Sequence, residues 1–111
     1  MVALLLSALM LADAPAASAP AVPMVGGWSA VAQPAHDHEA RGAAAVLVAQ
    51  LPVRHARLRR IITAQRQVVA GTNTRLTVRL AHGGCWSATV WHKLDGSYAV
   101  ADTARASCRP G

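Results

Sequence analysis

Acidic residues are scarce in this chain: five Asp and Glu stand against eleven Lys and Arg, ten of them Arg. Cysteines are fewer still, and Cys85 and Cys108 form no Cys-x-x-Cys pattern, so a redox motif or a thiolate zinc site finds no support. No long apolar run is present. Val2 to Leu11 is too short to cross a bilayer as a stable helix. A chain of 111 residues makes one domain at most.

What is there begins with a leader. From Met1 to Pro23 the only charge is Asp13, and the apolar run is followed by small-residue exits at Ala14-Pro15-Ala16 and Ala17-Ser18-Ala19. This is the pattern of a signal peptide, although the basic n-region is missing and Pro20 makes the second exit a poorer cut site. The expected organisation is a leader over residues 1–19 and a domain over 24–111. The other reading of the leader is a disordered Ala/Pro stretch. Two cysteines agree with export, because an even count in a small secreted chain usually means a bridge. A bridge between them would stabilise the fold by roughly 3 kcal/mol, and two free buried thiols are the alternative.

The periodicity then predicts elements. Trp28 to Val31 suits a short strand. From Pro34 to Glu39 the pattern is that of a helix beginning, with Asp37 as N-cap and Glu39 well placed for the helix dipole. Ala40, Ala44, Leu47, Val48 and Leu51 recur at helical spacing, and Pro52 ends the segment. Gly42 lies inside it, at a cost of about 1 kcal/mol against Ala unless something packs closely there. From about Leu58 the period becomes two. Leu76, Val78 and Leu80 alternate with Arg75, Thr77 and Arg79, while Trp86, Ala88 and Val90 alternate with Ser87, Thr89 and Trp91. His82-Gly83-Gly84 and Asp95-Gly96 mark turns, and Tyr98 to Ala101 is the last expected strand. One helix followed by successive antiparallel strands is an α+β domain, with the helix across one sheet face.

Between two of these strands lies Gln67-Val68-Val69-Ala70-Gly71, followed by Thr72-Asn73. Gly and Asn tolerate positive backbone dihedrals, so the chain folds back here in a hairpin with a small, apolar tip. Five arginines fall between Arg54 and Arg66, enough for a weak attraction to polyanions or a membrane surface. That stretch has no aromatic residue for base stacking, which argues against a specific nucleic acid partner, and a solvated strand face is the plainer reading. Catalysis finds little support. His36-x-His38 has no further ligand to complete a zinc site, and Cys85 and His92 on one strand face opposite ways, about 23 Å apart at strand rise.

These residues resemble the cystatins, protein inhibitors of papain-like cysteine proteases. Gln67-Val68-Val69-Ala70-Gly71 matches the Gln-x-Val-x-Gly motif of that family, and Val25-Gly26-Gly27 resembles its N-terminal glycine signature. Ala43 to Gln50 resembles the end of its single helix, Gln67 to Leu80 looks like its central hairpin, and the spacing of Cys85 and Cys108 is similar to the C-terminal disulfide of secreted, type 2 members. The likeness covers roughly Met24 to Cys108. It implies the cystatin fold, one helix across a four- to five-stranded antiparallel sheet. It also implies a reversible, competitive plug for the protease cleft in a secreted monomer, with no enzymatic activity, no cofactor and no metal.

The resemblance assigns roles residue by residue. Gly26 is the hinge of an N-terminal segment whose Met24 and Val25 enter the non-primed pockets. Gln67, Val68, Val69, Ala70 and Gly71 form the central loop, and Lys93, Leu94 and Asp95 the third element. Glycines without Cβ allow close backbone approach, and Val68, Val69 and Ala70 lose little side-chain entropy on docking. Two departures stand out. Where cystatins commonly carry a Pro-Trp pair, this chain reads His92-Lys93-Leu94-Asp95-Gly96, and Leu94 offers less area than a Trp anchor worth about 2 kcal/mol or more. The first disulfide of type 2 members has no counterpart. The alternative function is a secreted protein of the same fold that no longer inhibits and binds polyanions or membranes through its arginine-rich face.

Overall fold

A computed structural model describes residues 27–109. The leader, Met24, Val25 and Gly26 lie outside the described residues. The chain forms strand β1 (Trp28–Ala30), a single 3-10 turn (Pro34–His36), helix α1 (His38–Gln50) and strands β2 (Leu58–Val69), β3 (Gly71–Leu80), β4 (Cys85–His92) and β5 (Tyr98–Ala106). The strands make one antiparallel sheet in the order β1-β2-β3-β4-β5, and α1 packs across one face. The expected α+β architecture holds, with five strands.

Helix α1 starts where the sequence says it must. Asp37 has extended backbone, and its Oδ2 accepts from the Ala40 amide at 2.9 Å, satisfying one of the orphan donors of the first turn. Leu51 is already extended ahead of Pro52, because proline disfavours helical geometry in the residue before it. Ala40, Ala43, Ala44, Leu47 and Leu51 are buried on the inner face. Three alanines there let the helix axis approach the sheet closely. Gly42 extends this contact toward β5: a Cβ at that position would lie 3.2 Å from the Tyr98 hydroxyl, so the glycine leaves room for the ring.

The sheet contributes Ile61 and Ala64 from β2, Leu76, Val78 and Leu80 from β3, and Trp86, Ala88 and Val90 from β4 to the same core. Register places Leu76 beside Ala88 and Val78 beside Trp86, so the alternation of two neighbouring strands adds into one apolar surface. Each fully buried Leu or Val contributes about 1.5–3 kcal/mol. Strand β2 carries two extra residues, Arg59 and Ile62, where its register slips against β3. Bulges of this kind bend a strand and raise its twist, which curls β2 around the helix.

The last strand is longer than the expected Tyr98 to Ala101, running on to Ala106. The reason is local. Asp102 takes a left-handed conformation, φ 56°, where the register slips between Ser87 and Thr89, and this breaks the alternation before pairing resumes at Ala104. Cys85 and Cys108 form the disulfide, with Cα atoms 5.3 Å apart, and it fastens the end of β5 to the start of β4.

Among the described residues the core has one polar side chain. Thr74 is fully buried on the helix-facing side, and its hydroxyl has no hydrogen-bond partner among the described residues. Replacing it with valine keeps the shape and removes the desolvated hydroxyl, so Thr74→Val is expected to stabilise the protein by about 1 kcal/mol in urea unfolding.

The Asp37 cap is also testable. The Ala40 amide, with help from Arg66, holds the Asp37 carboxyl below its ordinary value. A depressed carboxylate contributes stability that is fully present above the unfolded value and is lost as pH falls through the lower folded one. Asp37→Ala is therefore expected to cost about 1 kcal/mol at neutral pH. The difference from wild type should shrink toward zero in strong acid, where both states are protonated.

Candidate functional site

Both long hairpins turn at the same end of the sheet. In the β2–β3 hairpin Val69 pairs with Gly71, leaving Ala70 at the apex. Gly71 has φ 99°, and a Cβ there would collide with the carbonyl oxygen of His92 and lie 3.2 Å from Lys93 Cα. Only glycine meets both demands. The motif glycine therefore does more than close a turn: it brings the first tip against the backbone of the second.

The second tip is the turn from Lys93 to Ser97. The Lys93 amide donates to Ser97 O at 2.8 Å and the Gly96 amide to Lys93 O at 3.0 Å. Asp95 Oδ1 accepts from the Ser97 amide at 2.9 Å and from its hydroxyl at 2.7 Å. The Ser97 hydroxyl and amide hold the Asp95 carboxyl below its usual range. With its flanks tied in this way, the turn projects Leu94, which is 82 % exposed.

Trp91 joins the two tips. It lies in β4 on the face away from the helix, as the alternation requires, and its indole Nε1 donates to the Ala70 carbonyl at 2.8 Å. Lys93 Nζ sits 5.2 Å from the Trp91 ring centre. Trp91, two residues before Lys93, thus braces the central loop while staying 38 % exposed.

The helix side of this end is fixed by polar contacts. Arg66 of β2 donates from Nη2 to Asp37, the same carboxylate that caps α1. His92 Nδ1 lies 2.9 Å from Glu39 Oε2, and the His92 ring stacks on Tyr98 at 4.2 Å between centroids. Burial, and then the Glu39 charge, push the Tyr98 phenol above its ordinary range and keep it neutral. Glu39 was expected only to favour the helix dipole, and His92 was weighed, and set aside, as a base for Cys85. Their contact joins residues 53 apart in the chain, and no spacing rule signals it. Gly42 was the one visible hint, since a glycine inside a helix asks what packs on it.

The first strand reaches the same edge. Trp28 pairs with Gln67, so Gly27 enters β1 from the tip end of β2. Arg75 lies 4.0 Å above the Trp28 ring and is itself held by two hydrogen bonds to Gln65 Oε1, at 2.9 and 2.6 Å. Gln67 Oε1 accepts from Asn73 Nδ2 at 3.1 Å across the hairpin. This cluster locks a strand of only three residues onto the sheet.

Of the assigned residues, Gln67, Val68, Val69, Ala70, Gly71, Lys93, Leu94 and Asp95 fall on the two neighbouring tips, and Met24, Val25 and Gly26 lie outside the described residues. Val68, Val69, Trp91 and Leu94 are exposed at this edge, and Leu58 is the single other large apolar side chain so exposed among the described residues. No group of three or more metal-ligating side chains gathers among those residues. The edge offers smooth apolar surface and backbone, and its hydroxyl–carboxylate pair, Ser97 with Asp95, closes the second turn.

Gly71→Ala is expected to force the tips apart and cost about 1–3 kcal/mol of stability. Trp91→Phe keeps an aromatic side chain but loses the indole N–H and with it the bond to Ala70, so a loss of roughly 1 kcal/mol is expected. Thermal unfolding of the two variants checks both.

Residues 34–106 match the family model of the cystatin domain, a span well over half of the chain that includes both tips and the helix. Among curated proteins none matches.

Proposed function

The chain belongs to the cystatin family, whose members are generally protease inhibitors, and we propose that it is a reversible, competitive inhibitor of papain-like cysteine proteases. The observation that carries this reading is the concentration of exposed apolar side chains, Val68, Val69, Trp91 and Leu94, on one narrow edge built from two hairpin tips. Exposed apolar surface is unfavourable unless a partner covers it. A wedge of this shape suits a cleft.

Binding here needs complementarity and rigidity. The bond from Trp91 to Ala70, the Gly71 contact with His92 and the Ser97 clamp on Asp95 order the tips before docking, so less conformational entropy is lost on association. Val68 and Val69 enter the cleft as compact side chains, while Leu94 touches the rim. Met24, Val25 and Gly26 supply the non-primed contacts in this proposal. The protease nucleophile meets smooth loops without a strained scissile bond in place, so inhibition is by occupancy. The protein is proposed to act as a monomer outside the cell, a reading supported by the Cys85–Cys108 bridge and the apolar run at Val2 to Leu11.

Titration of papain or a cathepsin L-like protease with the purified domain tests the proposal. Inhibition should appear at or below micromolar protein and be relieved by excess substrate. No inhibition at micromolar concentration would sink the reading. Leu94→Trp restores the area of the missing anchor, and is expected to tighten inhibition by roughly tenfold or more through slower dissociation.

A further inference from the structure

The end of the sheet opposite the tips is built from arginine. The chain before β2 folds back under the β3–β4 turn: the Ala81 amide donates to Arg57 O at 2.9 Å, and His82 Nε2 lies 3.3 Å from Arg54 O. Arg54 and Arg57 are thereby held beside His55 and His82. Arg59 and Arg60 follow at the first bulge of β2, and Arg60 stands directly opposite Arg79 on the outer face. On the helix-facing side Arg105 covers the Trp86 ring at 4.8 Å, and the disulfide fixes Arg109 at the same end. All of these arginines are exposed.

None of them pairs with a carboxylate among the described residues, where the ion pairs are Arg66 with Asp37 and His92 with Glu39. Asp37, Glu39 and Asp95 belong to the tip end. Asp102 is the nearest acid along β5, three residues or about 10 Å before Arg105. Like charges opposite one another across strands are destabilising, yet Arg60 and Arg79 face each other with no ion pair to an acidic side chain among the described residues. The fold holds concentrated positive charge here at a cost to its own stability.

We infer that this end docks a linear sulfated polysaccharide. Guanidinium forks bind sulfate oxyanions in bidentate fashion, and Arg60 and Arg79 stand on adjacent strands of the outer face, about 5 Å apart at strand spacing, with Arg54, Arg57 and Arg59 just before them, enough to meet several anionic groups of one chain. Two other polyanionic partners fit less well. Single-stranded nucleic acid binds best on Trp, Tyr or Phe platforms, and Trp86 at this end is buried beneath Arg105, leaving the smaller rings of His55 and His82 exposed. A bilayer surface asks for apolar side chains to insert, and Leu58 alone is exposed here. The tips lie at the far end of the same strands, so a bound polysaccharide leaves them uncovered.

The test measures binding of a heparin-derived oligosaccharide across a salt series, beside vesicles containing phosphatidylserine and a single-stranded oligonucleotide. The readout does not depend on protease inhibition. Oligosaccharide binding should fall with salt at a log–log slope of about −0.7 per ionic contact. Arg60→Ser and Arg79→Ser should each shallow that slope, and the double variant should lose roughly tenfold in affinity. Arg41→Ser, which removes the same charge from the helix, should leave binding unchanged. A thermal midpoint equal to or above wild type shows that the double variant is folded. Equal losses from Arg41→Ser, unchanged affinity in the double variant, or tighter binding of the vesicles or the oligonucleotide would overturn the inference.

Discussion

The close passage of the Gly71 backbone beneath the His92 carbonyl is the contact that the loop end depends on. It sets the distance between two hairpins that share no covalent link at that end, and the polar contacts around it take their places from it. Trp91 reaches the Ala70 carbonyl because the hairpins are this near. On the helix side, His92 meets Glu39 and stacks on Tyr98, so the same strand end that touches the first tip also anchors the first turn of α1. The Asp37 and Arg66 contact repeats this arrangement two strands over, on β2.

Rigidity at this edge follows from many modest interactions. Neutral hydrogen bonds are each worth about 1 kcal/mol, and partly exposed ion pairs less. Their value lies in geometry: each fixes one degree of freedom of a tip that has no core of its own. The core stands behind them, with three helix alanines allowing a short approach and the two bulges of β2 wrapping that strand around α1. Thr74, buried without a partner beneath this layout, is a local loss of stability that the apolar contacts around it offset.

Much of this was readable in the residues. The alternation in β3 and β4 is clean because one face is packed and the other wet, so Leu76, Val78, Ala88 and Val90 identify themselves. Asp37 and Pro52 bound the helix for stated physical reasons, and both ends fall where those reasons put them. The end of β5 was hidden because one left-handed residue, Asp102, interrupts its period. The contact of Glu39 with His92 was hidden because it depends on how the helix lies across the sheet, which no local pattern encodes. The brace from Trp91 to Ala70 was half visible: the strand position could be read, but the reach of an indole around a hairpin apex could not.

An up-and-down meander sends its alternate turns to opposite ends, and this has a consequence for how the domain can change. Arg79 and Arg105 share their strands with the tip residues, but their side chains touch none of the contacts that hold Gly71 or Trp91 in place. Replacements at the arginine end therefore alter the proposed polyanion surface without disturbing the edge proposed to face a protease. The two surfaces are separable along the length of a single strand, so each can be varied while the contacts of the other stay in place.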